Sequence, residues 1–176
     1  STSRGLGDVY KRQAKWLLFG HFLLLIIFLI ILSACFFHKT TLHGGVDYVE
    51  EKNCAIFASL IIQEKDTFFN RGVFIQPNEQ EIIYDKRKTF GLAGEDKIFN
   101  CGKSKIIVEY MGWKLNLQIC YDLRFPELSE NRVDNGVALY DASLFIANWP
   151  EKRSEHWKTL LKARAIENQS YVLACN

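Results

Sequence analysis

Short runs of β-branched and other apolar residues, separated by polar turns, dominate the chain from residue 48 onward. Residues 54–62, 68–76 and 81–84 form three such runs, and Pro77 and Asn78 separate the last two. Runs of this length, bounded by turn residues, are typical of buried strands rather than helices. The pattern therefore predicts a meander of strands at the start of the folded region.

Two further runs predict a hairpin. Residues 105–110 and 113–120 alternate apolar and polar positions on either side of Met111 and Gly112, which suit a two-residue turn. Residues 142–148 are again almost wholly apolar and predict another buried strand.

In the last part of the chain, apolar residues recur at a different spacing. Pro150 breaks the preceding strand, Ser154 is a predicted N-cap, and apolar residues then recur at helical spacing over residues 155–171. Arg164 and Glu167, three positions apart on this helix, predict an ordinary ion pair. Strands in hairpins followed by a helix between strands predict an α/β sandwich with mixed sheets.

The first 47 residues differ in kind from the rest. Residues 1–13 show no periodicity and are interpreted as extraneous sequence. Residues 16–37 carry no charge, follow the basic pair Arg12 and Lys15, and are long enough to cross a bilayer, which takes about 20 apolar residues. They are interpreted as a membrane or signal segment. A buried strand in a damaged terminus is the alternative. We therefore divide the chain into an extraneous or apolar segment, 1–47, and a folded domain, 48–176.

Composition narrows the function. With 176 residues, 48% of them hydrophobic, the chain can fill one core. A net charge of +2 with interspersed signs argues against nucleic-acid binding. The five cysteines include no CxxC pair, which argues against disulfides and zinc and favours a reducing compartment. We expect neither a metal nor a cofactor.

Cys120 has the most informative setting of the five cysteines. It ends a buried apolar run and enters a polar turn, where a reactive side chain is held rigidly yet meets solvent. Lys86 also follows a predicted strand, and an ammonium near a thiol lowers the thiol pKa and can stabilise an oxyanion. Asp122, Arg124 and Glu127 would be costly to bury unless paired, so a local ion network is expected there.

Three motifs in order resemble those of the nitrilase superfamily. ICYDLRFPE, with Cys120 as its cysteine, resembles the nucleophile motif, and YDKRKTF resembles the lysine motif, with Lys86 as its lysine. ANWPEKRSEHWKTLLKARAIENQSYV resembles the segment that follows the nucleophile in the soluble ω-amidase branch. The resemblance covers roughly residues 50–176, and three long motifs in order are far more specific than one short pattern.

The resemblance implies an αββα sandwich, no cofactor, and a Glu-Lys-Cys triad. Cys120 would attack an amide carbon, release ammonia and form a thioester that water hydrolyses. Lys86 and the backbone N–H of Tyr121 would hold the oxyanion. Glu95, in LAGEDKIF, matches a second glutamate that supports the lysine, although a solvated loop acid is the alternative. Trp149 is predicted either to line the substrate mouth or to be a core aromatic.

The implied activity is hydrolysis of the ω-amide of a small 2-oxo dicarboxylic acid monoamide, such as 2-oxoglutaramate. The implied partners are this small-molecule amide and water, with no nucleic acid, and the intact family member is expected to be a cytoplasmic homo-oligomer. A membrane-linked N-acyltransferase, anchored through residues 16–37, is a second hypothesis. A truncated homologue without catalytic activity is a third.

The chain departs from the family pattern in two places. Lys88 and Thr89 stand where the family has His-Leu. Ala34 falls at the position of the triad glutamate, and the roughly 20 residues from Ala34 to Ala55 are too few for the helix that belongs between them. The sequence also stops at Asn176, inside a family strand. We therefore expect a domain incomplete at both ends and, without the glutamate, a chain that is inactive as supplied.

Overall fold

The computed structural model describes residues 40–78 and 80–176. Its helices are α1 (Thr40–Lys52), α2 (Pro126–Ser129) and α3 (Ser154–Asn168). Its strands are β1 (Ile56–Glu64), β2 (Thr67–Ile75), β3 (Ile82–Asp85), β4 (Ile107–Tyr110), β5 (Trp113–Ile119), β6 (Val133–Asp134), β7 (Val137–Ala138), β8 (Ala142–Ile146) and β9 (Tyr171–Cys175).

The first sheet is the predicted meander. β1 pairs antiparallel with β2 along its whole length, from Ile56 opposite Ile75 to Glu64 opposite Thr67. β2 then pairs antiparallel with β3, and the strand order is β1-β2-β3. The prediction of three consecutive strands is confirmed, with each strand displaced by one or two residues from its predicted bounds.

The second sheet is mixed, in the order β4-β5-β8-β9. β4 and β5 form the predicted hairpin, in which Tyr110 pairs with Trp113 around Met111 and Gly112. Both turn residues have positive φ, 50° and 77°, as a type I′ hairpin turn requires. β8 lies parallel to β5, and β9 lies parallel to β8.

Three apolar clusters define four layers. The largest lies between the two sheets and contains Phe57 and Phe74 from the first sheet with Leu117 and Leu144 from the second. Because successive residues of a strand point to opposite faces, their neighbours belong to the outer clusters. The first sheet packs its outer face on α1 through Val49.

The outer face of the second sheet packs on α3. Phe145 of β8 contacts a cluster that includes Trp149 and Trp157, and Trp157 belongs to α3. The order of layers is therefore helix, sheet, sheet, helix, which confirms the predicted αββα sandwich with mixed sheets.

Two local predictions were wrong at α3. The helix ends at Asn168 rather than at 171, because Gln169 adopts a left-handed conformation with φ of 47°. The following β-branched and aromatic residues form β9 instead. Ser154 is the first helical residue, the cap position belongs to Arg153, and no side chain caps this end.

The N-terminal helix corrects another expectation. We expected too little chain between Ala34 and Ala55 for a helix, but α1 occupies Thr40–Lys52, and our boundary between residues 47 and 48 falls inside it. Ala34 and the apolar segment 16–37 lie outside the described residues. In the part of the chain that the structure describes, no helix has the length and apolar character needed to cross a membrane.

Arg164 makes more than the predicted ion pair. Its Nη1 lies 2.7 Å from Glu167 Oε1, as expected. The guanidinium is also buried, and its Nε and Nη2 donate hydrogen bonds of 3.1 and 2.9 Å to the carbonyl oxygen of Leu123. Leu123 lies in a 3₁₀ turn at Cys120–Arg124, so Arg164 fixes α3 to the turn that follows β5.

Arg164→Ala is predicted to lower the free energy of unfolding by about 2–3 kcal/mol, because it leaves the buried Leu123 carbonyl without its charged donor. Chemical denaturation measures the change. Lys162→Ala, at an exposed position of the same helix, is the matched control and should change stability by less than about 0.5 kcal/mol. Equal effects of the two substitutions would contradict the anchoring role.

Candidate active site

Cys120 begins the 3₁₀ turn at the end of β5. Its φ of 47° lies in the left-handed region, which is uncommon for a residue other than glycine and persists only where the surrounding structure enforces it. β5 and β8 are parallel, with Ile119 paired to Ile146, so their carboxyl ends meet at one edge of the sheet. There the Cys120 thiol lies 3.9 Å from the carbonyl oxygen of Asn148. The thiol therefore lies at the edge of the sheet where these two strands end.

The Asp122 carboxylate stabilises this turn through hydrogen bonds. It is fully buried and accepts hydrogen bonds from the Tyr84 hydroxyl (2.7 Å) and from the backbone N–H groups of Lys88 (2.8 Å) and Ile119 (3.0 Å). Burial raises the pKa of Asp122 above its usual value, and these hydrogen bonds and the nearby Lys86 ammonium oppose that shift. Neutral donors therefore satisfy this carboxylate in place of an ion pair.

The predicted ion network around the turn was wrong. Glu127 makes an exposed contact of 3.6 Å with Lys88. Arg124 stacks on the ring of Trp149, 5.0 Å from its centroid, and its Nη2 lies 3.2 Å from His156 Nδ1. Lys88 contacts Asp122 through its backbone and Glu127 through its side chain, and no ion pair between described residues joins the three charged residues of the motif to one another.

Lys86 and Glu95 form a pair beside this turn. The Lys86 side chain is 2% exposed, and its Nζ donates to Glu95 Oε2 at 2.5 Å. The same oxygen accepts the backbone N–H of Phe90 at 2.6 Å. The backbone of Lys86 is fixed on both sides, since its N–H donates to the Asn70 carbonyl and its carbonyl accepts from Gly102, both at 2.9 Å. Glu95 is therefore a partner of the lysine, and the alternative of a solvated loop acid does not hold.

A cavity of about 460 Å³ brings the five predicted site residues together: Lys86, Glu95, Cys120, Tyr121 and Trp149 all line it. A volume of this size suits a small ligand. Trp149 is only 6% exposed and packs on Trp157 with ring centroids 5.3 Å apart, so it is both a core aromatic and a wall of the cavity. Tyr121 contacts the rings of Phe90 and Phe125. The catalytic roles of the five residues remain predictions.

Sequence reasoning missed several lining residues, among them Asn70, Phe90 and Arg153. Asn70 lies within β2. A polar residue in a strand can face either solvent or a cavity, and the sequence pattern does not distinguish the two. For Arg153 a signal existed, because Pro150 breaks the chain just beyond β8, and the short turn Glu151–Arg153 follows at the edge where Cys120 lies.

The local environment sets the charge state of the Cys120 thiol. Burial raises the pKa of this thiol, and the nearby Lys86 ammonium opposes that rise without cancelling it. We expected the lysine to lower the thiol pKa, and it acts in that direction, but desolvation is the larger effect. A thiol whose pKa is raised in this way needs a proton acceptor before it can act as a nucleophile.

A family model, carbon–nitrogen hydrolase, matches residues 38–176. The omega-amidase YafV of Yersinia enterocolitica is 46% identical over 121 residues, which are 69% of this chain and 45% of that protein. The omega-amidase YafV of Escherichia coli K12 is 42% identical over 127 residues, 72% of this chain and 48% of that protein. The 2-oxoglutaramate amidase of Paenarthrobacter nicotinovorans is 34% identical over 167 residues, which cover 77% of this chain and 56% of that protein. The chain thus spans about half the length of these relatives.

Solved structures are similar as well. A CN-hydrolase superfamily protein from Xanthomonas campestris, with an arsenic adduct in its active site, has a TM-score of 0.71 at 36% identity, covering 83% of this chain and 62% of that one. Nit3 of Saccharomyces cerevisiae, a member of branch 10 of the nitrilase superfamily, has a TM-score of 0.68 at 20% identity. The match covers 83% of this chain and 53% of Nit3. The predicted resemblance to the nitrilase superfamily and its ω-amidase branch is confirmed.

Lys86→Gln is predicted to raise the pH at which Cys120 reacts with iodoacetamide. The substitution removes the cation that opposes the burial-driven rise in the thiol pKa and leaves the Glu95 carboxylate beside the thiol. The midpoint of the alkylation rate against pH should therefore move upward. Lys103→Gln, at an exposed position, is the control and should leave the midpoint unchanged. A downward shift in Lys86→Gln would contradict the assigned electrostatics.

Proposed function

Because this chain belongs to the carbon–nitrogen hydrolase family, we propose that it is the core of an ω-amidase. The substrate is the ω-amide of a small 2-oxo dicarboxylic acid monoamide, similar to 2-oxoglutaramate, and the products are the acid and ammonia. One observation carries the proposal: Cys120, held at positive φ, lines the same small cavity as the buried Lys86 and its partner Glu95. The names of the similar omega-amidases and 2-oxoglutaramate amidases support the choice of amide.

The proposed reaction has two steps. In the first, the Cys120 sulfur attacks the amide carbon after losing its proton to a carboxylate, and the amide nitrogen leaves as ammonia once it has been protonated. In the second, water attacks the thioester carbon, the carbon–sulfur bond breaks, and the thiol is restored. Both tetrahedral intermediates carry an oxyanion. Lys86 Nζ and the N–H of Tyr121, which follows Cys120 in the turn, are the proposed donors to it.

Glu95 is proposed to position Lys86. Its Oε2 already accepts hydrogen bonds from Lys86 and from the N–H of Phe90, so this oxygen is occupied in holding the pair. Among the described residues, Glu95 supplies the carboxylate that lines the cavity. By resemblance, Ala34 stands where the family has the glutamate that transfers protons, and we propose that this 176-residue chain therefore has no working base.

The remaining expectations stay proposals. A homo-oligomer and a cytoplasmic location rest on the family resemblance. Residues 16–37 lie outside the described residues, so anchoring of the chain to a membrane through them is untested. The three curated relatives named above are amidases, which does not favour the membrane-linked N-acyltransferase or the non-catalytic homologue.

In a full-length form that supplies the family glutamate, Cys120→Ala is predicted to abolish ammonia release from 2-oxoglutaramate, because no other thiol of the described chain lines the cavity. Cys54→Ala, Cys101→Ala and Cys175→Ala are matched controls and should retain activity. An ammonia assay over a panel of amides and nitriles measures the outcome. Turnover of nitriles alone would contradict the substrate class, and activity in Cys120→Ala would contradict the nucleophile.

The 176-residue chain itself is predicted to react slowly with iodoacetamide at Cys120 but to release no ammonia at steady state. General acid–base assistance is worth about 100- to 10,000-fold per step, and one glutamate would serve both steps. Labelling and ammonia release are measured on the same preparation. Robust steady-state release would show that another carboxylate, such as Glu95, is the base.

A further inference from the structure

The cavity around Cys120 has an unbalanced charge. Four charged side chains line it: Lys86, Glu95, Arg124 and Arg153. Lys86 and Glu95 form an ion pair and cancel each other. Within the described residues, neither arginine has a carboxylate within ion-pairing distance. The cavity therefore presents two guanidinium groups for which residues 40–78 and 80–176 supply no counter-ion.

Arg153 has the better-defined position of the two for binding a ligand. Its N–H donates to the Pro150 carbonyl at 2.9 Å, and its carbonyl accepts the indole Nε1–H of Trp149 at 2.8 Å. Its guanidinium lies 5.3 Å from the ring centroid of Phe90, whose N–H binds Glu95. Stacking of this kind holds the plane of the guanidinium and leaves the N–H groups at its edge free for a ligand.

Arg124 is engaged differently. Its guanidinium stacks on Trp149, and its Nη2 shares a hydrogen bond with His156. This contact occupies part of its donor edge. Arg124 adds positive potential to the cavity, but its side chain already has a hydrogen-bond partner, whereas no described residue forms a hydrogen bond with the guanidinium of Arg153.

We propose that Arg153 binds the free carboxylate of the substrate and thereby selects ω-amides of acids over neutral amides. The inference rests on the proposed function and adds the residue that recognises the end of the substrate remote from the amide. A guanidinium can bind a carboxylate through two parallel hydrogen bonds, which fixes orientation as well as charge. A carboxylate held by Arg153 would supply the counter-ion that the described residues do not provide.

Protection of Cys120 from iodoacetamide measures this binding without requiring turnover. The probe is 2-oxoglutarate, the product of the proposed reaction. Arg153→Gln should weaken protection about tenfold or more, the effect of losing charge-assisted hydrogen bonds at a partly exposed site. Arg153→Lys keeps the charge but not the two-point contact and should be intermediate.

Lys152→Gln is the matched control. Lys152 is the adjacent cation on the same turn, but it is exposed and does not line the cavity. The substitution removes the same charge and should leave protection unchanged. Loss of protection in both glutamine variants would show a general effect of positive charge and would overturn the proposal. So would equal protection in wild type and Arg153→Gln, or no protection in the wild type at millimolar 2-oxoglutarate.

A second readout compares two alkylating agents of nearly equal size. The measured quantity is the alkylation rate of Cys120 by anionic iodoacetate divided by its alkylation rate by neutral iodoacetamide. This ratio should fall severalfold in Arg153→Gln and stay constant in Lys152→Gln. The same ratio at exposed Cys101, read from its own peptide, corrects for reagent reactivity. An unchanged ratio at Cys120 in Arg153→Gln would contradict a role for Arg153 in recognising anions.

The ammonia assay separates this inference from the proposed function. In the active full-length form, Arg153→Gln should raise KM for 2-oxoglutaramate much more than it lowers kcat, as expected for loss of a uniform binding contact. Unchanged kinetics in that variant would leave the amidase in place and refute the role of Arg153. Protection that depends on Arg153, without any amide hydrolysis in the full-length form, would support the anion site and refute the amidase.

Discussion

The buried Asp122 carboxylate joins the segments on which the candidate site depends. It accepts one hydrogen bond from Tyr84 at the end of the first sheet, one from Lys88 just beyond the lysine of the site, and one from Ile119 at the end of β5. Because Lys86 lies between the first two donors and Cys120 follows the third, one carboxylate sets the position of the lysine against the cysteine. Removing it would leave three donors without this acceptor, and two of them, on Tyr84 and Ile119, are buried.

This arrangement also explains how Cys120 keeps an unfavourable backbone conformation. A positive φ in a residue with a side chain costs about 1–3 kcal/mol and persists only under constraint from neighbours. Asp122 joins the turn to β3 and β5 through hydrogen bonds. Arg164 of α3 holds the other side of the turn by donating to the carbonyl of Leu123. The conformational cost of the positive φ therefore falls on Cys120, the residue whose thiol the proposed reaction uses.

The strand runs predicted an α/β sandwich, and the family resemblance implied its αββα layers and five of the residues that line the cavity, but most of the contacts between these residues were not predicted. Strand runs and the turn at Met111 and Gly112 have local signals, so the meander and hairpin could be predicted. The stop of α3 at Gln169 could not, because tertiary pairing of β9 with β8 decides it. The pairing of Lys86 with Glu95 was suggested only by family resemblance, and the partners of Asp122 and Arg124 depend on segments distant in sequence.

The central claim is that Cys120 carries the acyl group during hydrolysis of the amide. The most direct measurement is acid quenching of the full-length form during turnover of 2-oxoglutaramate, followed by peptide mass spectrometry. The account predicts an adduct on the Cys120 peptide with the mass of the substrate minus ammonia, and hydroxylamine should remove it as it does other thioesters. Ammonia release with no such adduct under conditions that trap thioesters, or with the adduct on a different cysteine, would contradict the account.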